Sequence, residues 1–134
     1  MKLMLDTNIC IYIIKQKPPE VLARFREHAV GDIVISSITV AELQCGVEKS
    51  VKPARNQQAI NQFLLPLTVM DFDHAAAIAY GRCRATLEMQ GRSIGPLNML
   101  IAAHAVSLDL SLVTNNVREF ERVPGLKLEN WVTR

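Results

Sequence analysis

Short apolar segments alternate with longer helical patterns along the chain, and this alternation restricts its fold more than any other feature. Five segments are typical of strands: KLMLD (2–6), IVISS (33–37), LTVMD (67–71), LSLVT (110–114) and LKLE (126–129). Helical patterns cover 8–16, 19–29, 39–49, 54–65, 73–91, 96–108 and 116–120. We therefore expect an α/β fold with a central, mainly parallel five-stranded sheet, flanked by helices on both faces.

The size and composition of the chain predict one domain over residues 1–134. Its 134 residues are 49% hydrophobic, which is enough for a core in one domain of this size. The first acid, Asp6, comes too early for a secretory leader, and the apolar run 9–14 is too short to span a membrane. Three widely separated cysteines without a CxxC pair indicate reduced thiols. We expect a cytoplasmic protein with no membrane association.

Carboxylates and amides stand at the predicted ends of several strands. Asp6 ends the first strand, and Glu42 lies just past the second. The fourth strand runs into Thr-Asn-Asn (114–116), and Glu119 follows. Each has an ordinary structural explanation. Asp6 could be an N-cap, 39–42 a capping box, 114–116 a turn, and Glu119 a solvated side chain.

Taken together, these residues predict a metal site. The carboxyl ends of parallel strands converge on one crevice, so Asp6, Glu42 and the amides should lie close together. Carboxylates held close repel one another, and a hard divalent cation such as Mg²⁺ or Mn²⁺ relieves that repulsion. The histidines are too scattered for zinc; we expect His28 and His74 at the surface and His104 in or near the core.

A carboxylate-held cation suits phosphodiester hydrolysis, because it can activate water and stabilise charge on the attacked phosphate. The sequence favours no other route. It contains no GxxxxGK[ST] loop for a nucleotide, no GxGxxG after the first strand and no GxSxG nucleophile elbow. Phosphodiester hydrolysis is therefore the predicted class of reaction.

Four segments in series resemble PIN-domain ribonucleases, and among these the VapC toxins of VapBC toxin–antitoxin systems. They are LDTNICIYII, SSITVAELQCGVEKS, GRSIGPLNMLIAAHA and LVTNNVREFERVPGLKLENW, in matching order and spacing over essentially the whole chain. The resemblance implies a PIN fold and a type II toxin that is an Mg²⁺- or Mn²⁺-dependent endoribonuclease, cutting initiator tRNA at the anticodon loop. It also implies a VapB-type antitoxin as inhibitor, a toxin homodimer, and operator DNA bound only through the antitoxin.

The same resemblance implies roles for individual residues. Asp6 matches the first aspartate of the family and Glu42 its glutamate, and Asn98 falls where the family has an aspartate. These three are the implied metal ligands. Asn116 matches a position that is aspartate in many PIN domains, and Glu119 could supply the remaining acid, which completes the implied catalytic set. Polar support is expected from Thr7, Asn8 and Thr114.

Asn98 departs from the family pattern at a metal-ligand position. Asn is nearly isosteric with Asp, so the fold should tolerate it, but its amide carries no charge and has one acceptor oxygen instead of two. We expect weak metal binding and little or no nuclease activity, whether the change is an engineered inactivation or a natural loss. Two alternatives stay open: a metal-free PIN module that acts only through its antitoxin, and a structure-specific DNA nuclease.

Basic residues around the acidic site are expected to contact RNA, because phosphate contacts dominate affinity. The net charge of +2 neither demands nor excludes such a surface. The candidates are Lys15, Lys17, Lys49, Lys52, Arg55, Arg82, Arg84, Arg92 and Arg118. Segments 9–14, 21–25 and 54–65 carry more apolar residues than one side of a small sheet needs, so we expect part of them to form an interface with a second toxin or the antitoxin.

Overall fold

The computed structural model describes residues 1–133, with a parallel sheet at its centre. Within these residues the strands are β1 (Leu3–Leu5), β2 (Ile33–Ser36), β3 (Thr68–Met70), β4 (Ser111–Val113) and β5 (Lys127–Glu129). The helices are α1 (Thr7–Lys15), α2 (Pro19–Arg26), α3 (Ser37–Glu48), α4 (Pro53–Leu64), α5 (His74–Met89), α6 (Pro96–Ser107) and α7 (Val117–Phe120). The predicted α/β fold is confirmed, and the sheet is wholly parallel. Arg134, the last residue of the predicted domain, lies outside the described residues.

Side chains of each central strand alternate between two hydrophobic layers. In β1, Leu3 and Leu5 pack with residues of α1 to α4, whereas Met4 packs with residues of α5, α6 and α7. Successive strand residues point to opposite faces of a sheet, so a fully apolar strand fills both layers. The helices therefore cover both faces, as the sequence predicts.

The strand order places two carboxyl ends side by side at the middle of the sheet. The order is β3-β2-β1-β4-β5. The chain therefore adds β2 and β3 on one side of β1, and later β4 and β5 on the other side. Leu5 pairs with Val113 at the end of the β1–β4 ladder, which brings Asp6 next to Thr114. A reversal of this kind opens the crevice in which α/β proteins bind their ligands.

The start of α3 differs from the sequence prediction. Its N-cap is Ser36, whose hydroxyl accepts a hydrogen bond from the Ile38 N–H at 3.0 Å. The capping-box interpretation of 39–42 is therefore wrong, because the helix has already begun at Ser37. Thr39 and Glu42 are thus free of any capping role and can face the β1 end of the sheet.

A buried His–Ser pair holds this end of β2. His104 Nδ1 lies 2.8 Å from Ser36 Oγ, and the edge of its ring packs on Phe72. Burial lowers the pKa of His104 below its ordinary value, although the nearby charge of Asp73 opposes the shift. The predicted core position of His104 is confirmed. His74 is exposed, as predicted, whereas His28 is half-buried and stacks on the Trp131 ring at 5.5 Å.

We expect Ser36→Ala to lower the free energy of unfolding by about 1–3 kcal/mol, because it leaves a buried imidazole nitrogen and the Ile38 N–H without their partner. Urea denaturation monitored by circular dichroism measures the change. Ser93→Ala is the matched control, since Ser93 is exposed. Equal stability of the two variants would show that the Ser36 hydroxyl contributes nothing to holding α3.

Two further sequence expectations can be compared with the structure. Among residues 1–133, no helix has both the length and the apolar character needed to cross a membrane. The three cysteines are free thiols; Cys10 and Cys83 are buried and Cys45 is exposed. The prediction of unpaired cysteines is confirmed.

Candidate active site

Asp6 is a buried carboxylate that is both a helix cap and part of a charged cluster. Its side chain is only 3% exposed. Oδ1 accepts the Ile9 N–H at 2.8 Å and caps α1, while Oδ2 accepts the Thr114 hydroxyl at 2.5 Å. The pKa of Asp6 is raised to about 6, mainly by burial; the negative charge of Glu42 contributes to the rise, and both hydrogen bonds oppose it. The capping and functional interpretations of Asp6 are therefore compatible.

Glu42 approaches Asp6 from α3 and is held there by Thr7. The Thr7 hydroxyl donates to Glu42 Oε1 at 2.6 Å and lies 3.4 Å from the Thr39 hydroxyl. Thr7 follows Asp6 directly and is the first residue of α1, so its hydrogen bond to Glu42 links the two carboxylates. The predicted convergence of Asp6 and Glu42 from separate strands is thus present in the structure.

Thr114 joins this carboxylate pair to a second group of polar residues. It is fully buried, donates to Asp6, and accepts the backbone N–H of Asn116 at 2.9 Å. The Asn116 side chain turns the other way and donates to Glu119 Oε2 at 3.0 Å. A single hydroxyl therefore fixes the distance between the β1 end and the turn after β4.

Glu119 is the acceptor at the centre of the second group. Its Oε1 accepts the Gly95 N–H at 2.8 Å and the Asn98 amide at 3.2 Å, in addition to the Asn116 bond. The Gly95 N–H is the main reason why the pKa of Glu119 is lowered, and Asn116, Asn98 and the positive charge of Arg122 also lower it. Glu119 is consequently a fixed carboxylate, and its interpretation as a solvated side chain is wrong.

The Asn98 amide has a defined orientation at the mouth of α6. A carboxylate accepts hydrogen bonds and cannot donate one, so the amide nitrogen of Asn98 must face Glu119. Its carbonyl oxygen is then the atom left for other contacts. Asn98 is half-buried on the first turn of α6, after Pro96. Asn98 thus donates a hydrogen bond to Glu119, where an aspartate at this position would repel it.

All five residues predicted for the site therefore belong to one hydrogen-bonded and electrostatic network: Asp6, Glu42, Asn98, Asn116 and Glu119. Thr7 and Thr114 have the supporting contacts expected of them. Sequence reasoning missed Gly95 and Arg122. The spacing of Arg122 four residues after Arg118 could have indicated a shared basic face.

The donor set fits a hard divalent cation in chemistry but is short of charge. Every candidate donor is an oxygen, and the carboxylates of Asp6 and Glu42 repel each other in a partly dry site. Among residues 1–133, no three His, Cys, Asp or Glu side chains lie close enough together to hold a metal ion. Asn98 adds an amide oxygen without adding the third negative charge.

Comparison with known proteins places this geometry in a family. Residues 3–126 match the model of the PIN domain. The chain is 52% identical over 132 residues to Ribonuclease VapC2 of Haemophilus influenzae, covering 98% of this chain and 99% of that protein. It is 51% identical over 131 residues to the tRNA(fMet)-specific endonuclease VapC of Shigella flexneri, with 98% of each chain covered.

A solved structure shares the same fold. It is the DNA-bound VapBC of Salmonella typhimurium, with a TM-score of 0.94 and 47% identity, covering 98% of this chain and 99% of that one. The wholly parallel sheet, the carboxylates at the β1 end and these matches agree. The chain belongs to the PIN-domain family, within its VapC group.

Proposed function

We propose that this chain is the toxin of a VapBC-type toxin–antitoxin system, built to cleave RNA with a divalent metal and disabled at Asn98. The observation that carries the proposal is the convergence of Asp6 and Glu42 at the reversal point of the sheet, with Asn98 in the same network. The VapC relatives named as ribonucleases support the reaction class.

Asp6, Glu42 and the Asn98 oxygen are the groups that would hold Mg²⁺ or Mn²⁺. When bound, such an ion supplies an activated water and stabilises negative charge on the attacked phosphate. Thr7 orients Glu42 and Thr114 orients Asp6 through hydrogen bonds to their carboxylates. Asn116 and Glu119 set the position of residue 98 through their shared hydrogen bonds.

Asn98 weakens this site through charge and through geometry. It lacks the negative charge that an aspartate would direct at the cation. Its amide nitrogen is also committed to Glu119, and that bond stabilises the network without any metal. The metal-free site is therefore satisfied, and binding a cation gains less than it would with an aspartate in place of Asn98.

The proposed substrate is initiator tRNA, cut in the anticodon loop. The relatives from Shigella flexneri and Salmonella typhimurium are named tRNA(fMet)-specific endonucleases and are 51% and 47% identical to this chain. A folded RNA also suits a protein with few aromatic residues, because recognition by shape and backbone needs no stacking platform.

The proposed partners are a VapB-type antitoxin and a second copy of the toxin, with operator DNA reached only through the antitoxin. A groove of about 320 Å³ lies between α1, α3 and α4, beside Glu42, and apolar Ile11, Ile14 and Ile60 line part of it. These residues belong to segments 9–14 and 54–65, which carry more apolar side chains than the core needs. The position of the groove therefore supports an interface there. The VapBC complexes solved with DNA support the wider assembly.

The Asn98→Asp variant tests the proposed function. It is incubated with tRNA and with DNA of matched sequence, each with Mg²⁺ and with EDTA. We expect the variant to cleave tRNA with Mg²⁺ but not with EDTA, and to leave the DNA intact. Preferential cleavage of DNA would favour the structure-specific nuclease, and a variant that binds metal but cuts neither substrate would overturn the proposal.

A metal-free binding module is the second candidate, and Asn98 is the observation that favours it. The chain keeps its groove and its folded core although the charge for catalysis is missing. In this case the chain has lost its metal and still binds its antitoxin, and Asn98→Asp alone does not restore catalysis. Metal titration by calorimetry separates the two, because only a disabled enzyme should gain tight Mn²⁺ binding from Asn98→Asp.

A further inference from the structure

A second concavity adjoins the candidate active site. This pocket, which we call the arginine pocket, has a volume of about 290 Å³ and lies between the 93–95 segment and residues 116–122. Gly95, Asn116 and Glu119 belong to its wall and to the active-site network at the same time. Any group in the arginine pocket therefore lies immediately beside the site proposed for cleavage.

Two arginines give this pocket its charge. Arg118 is on α7 and exposed, and Arg122 follows one turn later and is half-buried. Both side chains line the same pocket, so both guanidinium groups can reach one ligand in it. Within residues 1–133, neither arginine lies within 4 Å of a carboxylate. Neither arginine is thus held in an ion pair, although the charge of Arg122 also acts on Glu119 from a longer distance.

Arg122 is also held in place before any ligand arrives. Its Nη1 donates to the Ser93 carbonyl at 3.2 Å, which leaves the rest of the guanidinium fork available. Ordering the side chain in advance lowers the entropy cost of binding. The carboxylate of Glu119 lies in the same wall and keeps its negative charge, so it offsets one of the two arginines and leaves the pocket with one net positive charge.

We propose that the arginine pocket binds one backbone phosphate of the RNA, next to the phosphate that is cut. The inference rests on the proposed function and adds a subsite to it. Arginine forks match the oxygens of a phosphate in pairs, and phosphate contacts fix the register of a nucleic acid without reading its sequence. The subsite therefore positions the RNA chain and does not select the cleavage sequence.

RNA binding by the chain as it stands tests this subsite, since Asn98 keeps the RNA intact. Fluorescently labelled tRNA is titrated in EDTA over a series of KCl concentrations against the parent chain, Arg118→Gln, Arg122→Gln and the double variant. Arg26→Gln is the matched control: Arg26 is exposed and lies near Ile33 and Leu67, at the end of the sheet where β2 and β3 begin and away from the carboxyl ends of the strands. Thermal melts establish that each variant is folded.

We expect each single variant to bind tRNA about 5- to 10-fold more weakly at 0.1 M KCl, with Arg26→Gln within twofold of the parent. Because both arginines serve one phosphate, the double variant should reduce the slope of log K against log salt by about 0.7–0.9, the value for one contact. A loss of twice that slope would assign the arginines to separate phosphates and overturn the single-phosphate subsite.

Other outcomes would also overturn it. The proposal fails if the parent chain shows no measurable binding of tRNA. It also fails if the arginine-pocket variants bind tRNA as tightly as Arg26→Gln does. Weakened binding of a polyglutamate peptide with unchanged tRNA binding would assign the pocket to an acidic protein partner. Cleavage by Asn98→Asp is measured separately. A revertant that cuts tRNA while the arginine variants bind normally therefore removes the subsite and leaves the proposed function standing.

Discussion

The Asn98→Asp variant is expected to cleave RNA in Mg²⁺ at least about 100-fold faster than the parent chain. Even a residue that only supports a metal ligand is worth roughly 10- to 100-fold in affinity or activity, and we propose residue 98 as a ligand itself. The new carboxylate would add a third negative charge to the site of Asp6 and Glu42. Burial is the main reason why the pKa of Asp6 is raised to about 6, and repulsion from Glu42 contributes a smaller part. A divalent cation relieves that repulsion, so activity should depend on added metal.

The same substitution should make stability depend on metal. In EDTA the variant loses the amide bond to Glu119 and places a second negative charge beside it, which should cost about 1–2 kcal/mol. Mg²⁺ or Mn²⁺ should restore the loss, because it binds only the folded state. Thermal denaturation with EDTA and with metal measures both effects.

Asn98→Ala is the control for this stability change. It removes the hydrogen bond to Glu119 without adding charge, so its melting temperature should fall and should not respond to metal. Cleavage by an Asn98→Asp variant that also carries Asp6→Ala should return to the background. Activity in the double variant would mean that Asp6 holds no metal and that the assigned site is wrong.

Much of the fold could be predicted because it depends on short-range patterns. Apolar runs of strand length alternate with helical ones, and this alone gives the parallel sheet and its two covered faces. Asp6 was recognisable for the same reason, since it follows β1 directly. The boundaries were less accurate: α2 ends at Arg26 and α3 begins at Ser37. Competition between possible N-cap residues decides where a helix begins, and here Ser36 caps α3 in place of a capping box at 39–42.

The remaining parts of the site depend on contacts between distant segments. Only one group that holds Glu119, the Asn116 amide, is near it in sequence, whereas Gly95 and Asn98 reach it from the start of α6. No local pattern distinguishes such a glutamate from a solvated one. Arg122 was missed for a similar reason, because its partner is the Ser93 carbonyl on another loop.

Asp6→Asn is expected to stabilise the metal-free chain at pH 7.5 by up to about 3 kcal/mol, the equivalent of a pKa raised from 3.8 to about 6. Asn is as good an N-cap as Asp, so the Ile9 bond is kept. The Thr114 hydroxyl must reverse its hydrogen bond to face an amide, which subtracts part of the gain. Urea denaturation at several pH values measures the difference.

The sign of the pH dependence follows from the raised pKa of Asp6. Below pH 3.8 the carboxyl is protonated in both states, whereas between 3.8 and about 6 the folded state keeps a proton that the unfolded state has released. Asp6 therefore lowers the stability of the parent progressively as pH rises through this window, and Asp6→Asn removes that fall. His104 acts in the opposite direction, because its lowered pKa costs stability as pH falls below 6.5.

The comparison with Asp6→Asn isolates Asp6, since the His104 contribution is common to both proteins and cancels in the difference. Asp109→Asn is the matched control, because its carboxylate is 91% exposed and its loss should leave the profile unchanged. A variant less stable than the parent at pH 7.5, or a difference constant from pH 4 to 7, would contradict the prediction. A stabilised variant would instead mean that the chain holds a buried carboxylate at a cost to its own stability. Such a cost is expected at a site shaped for a cation rather than for folding alone.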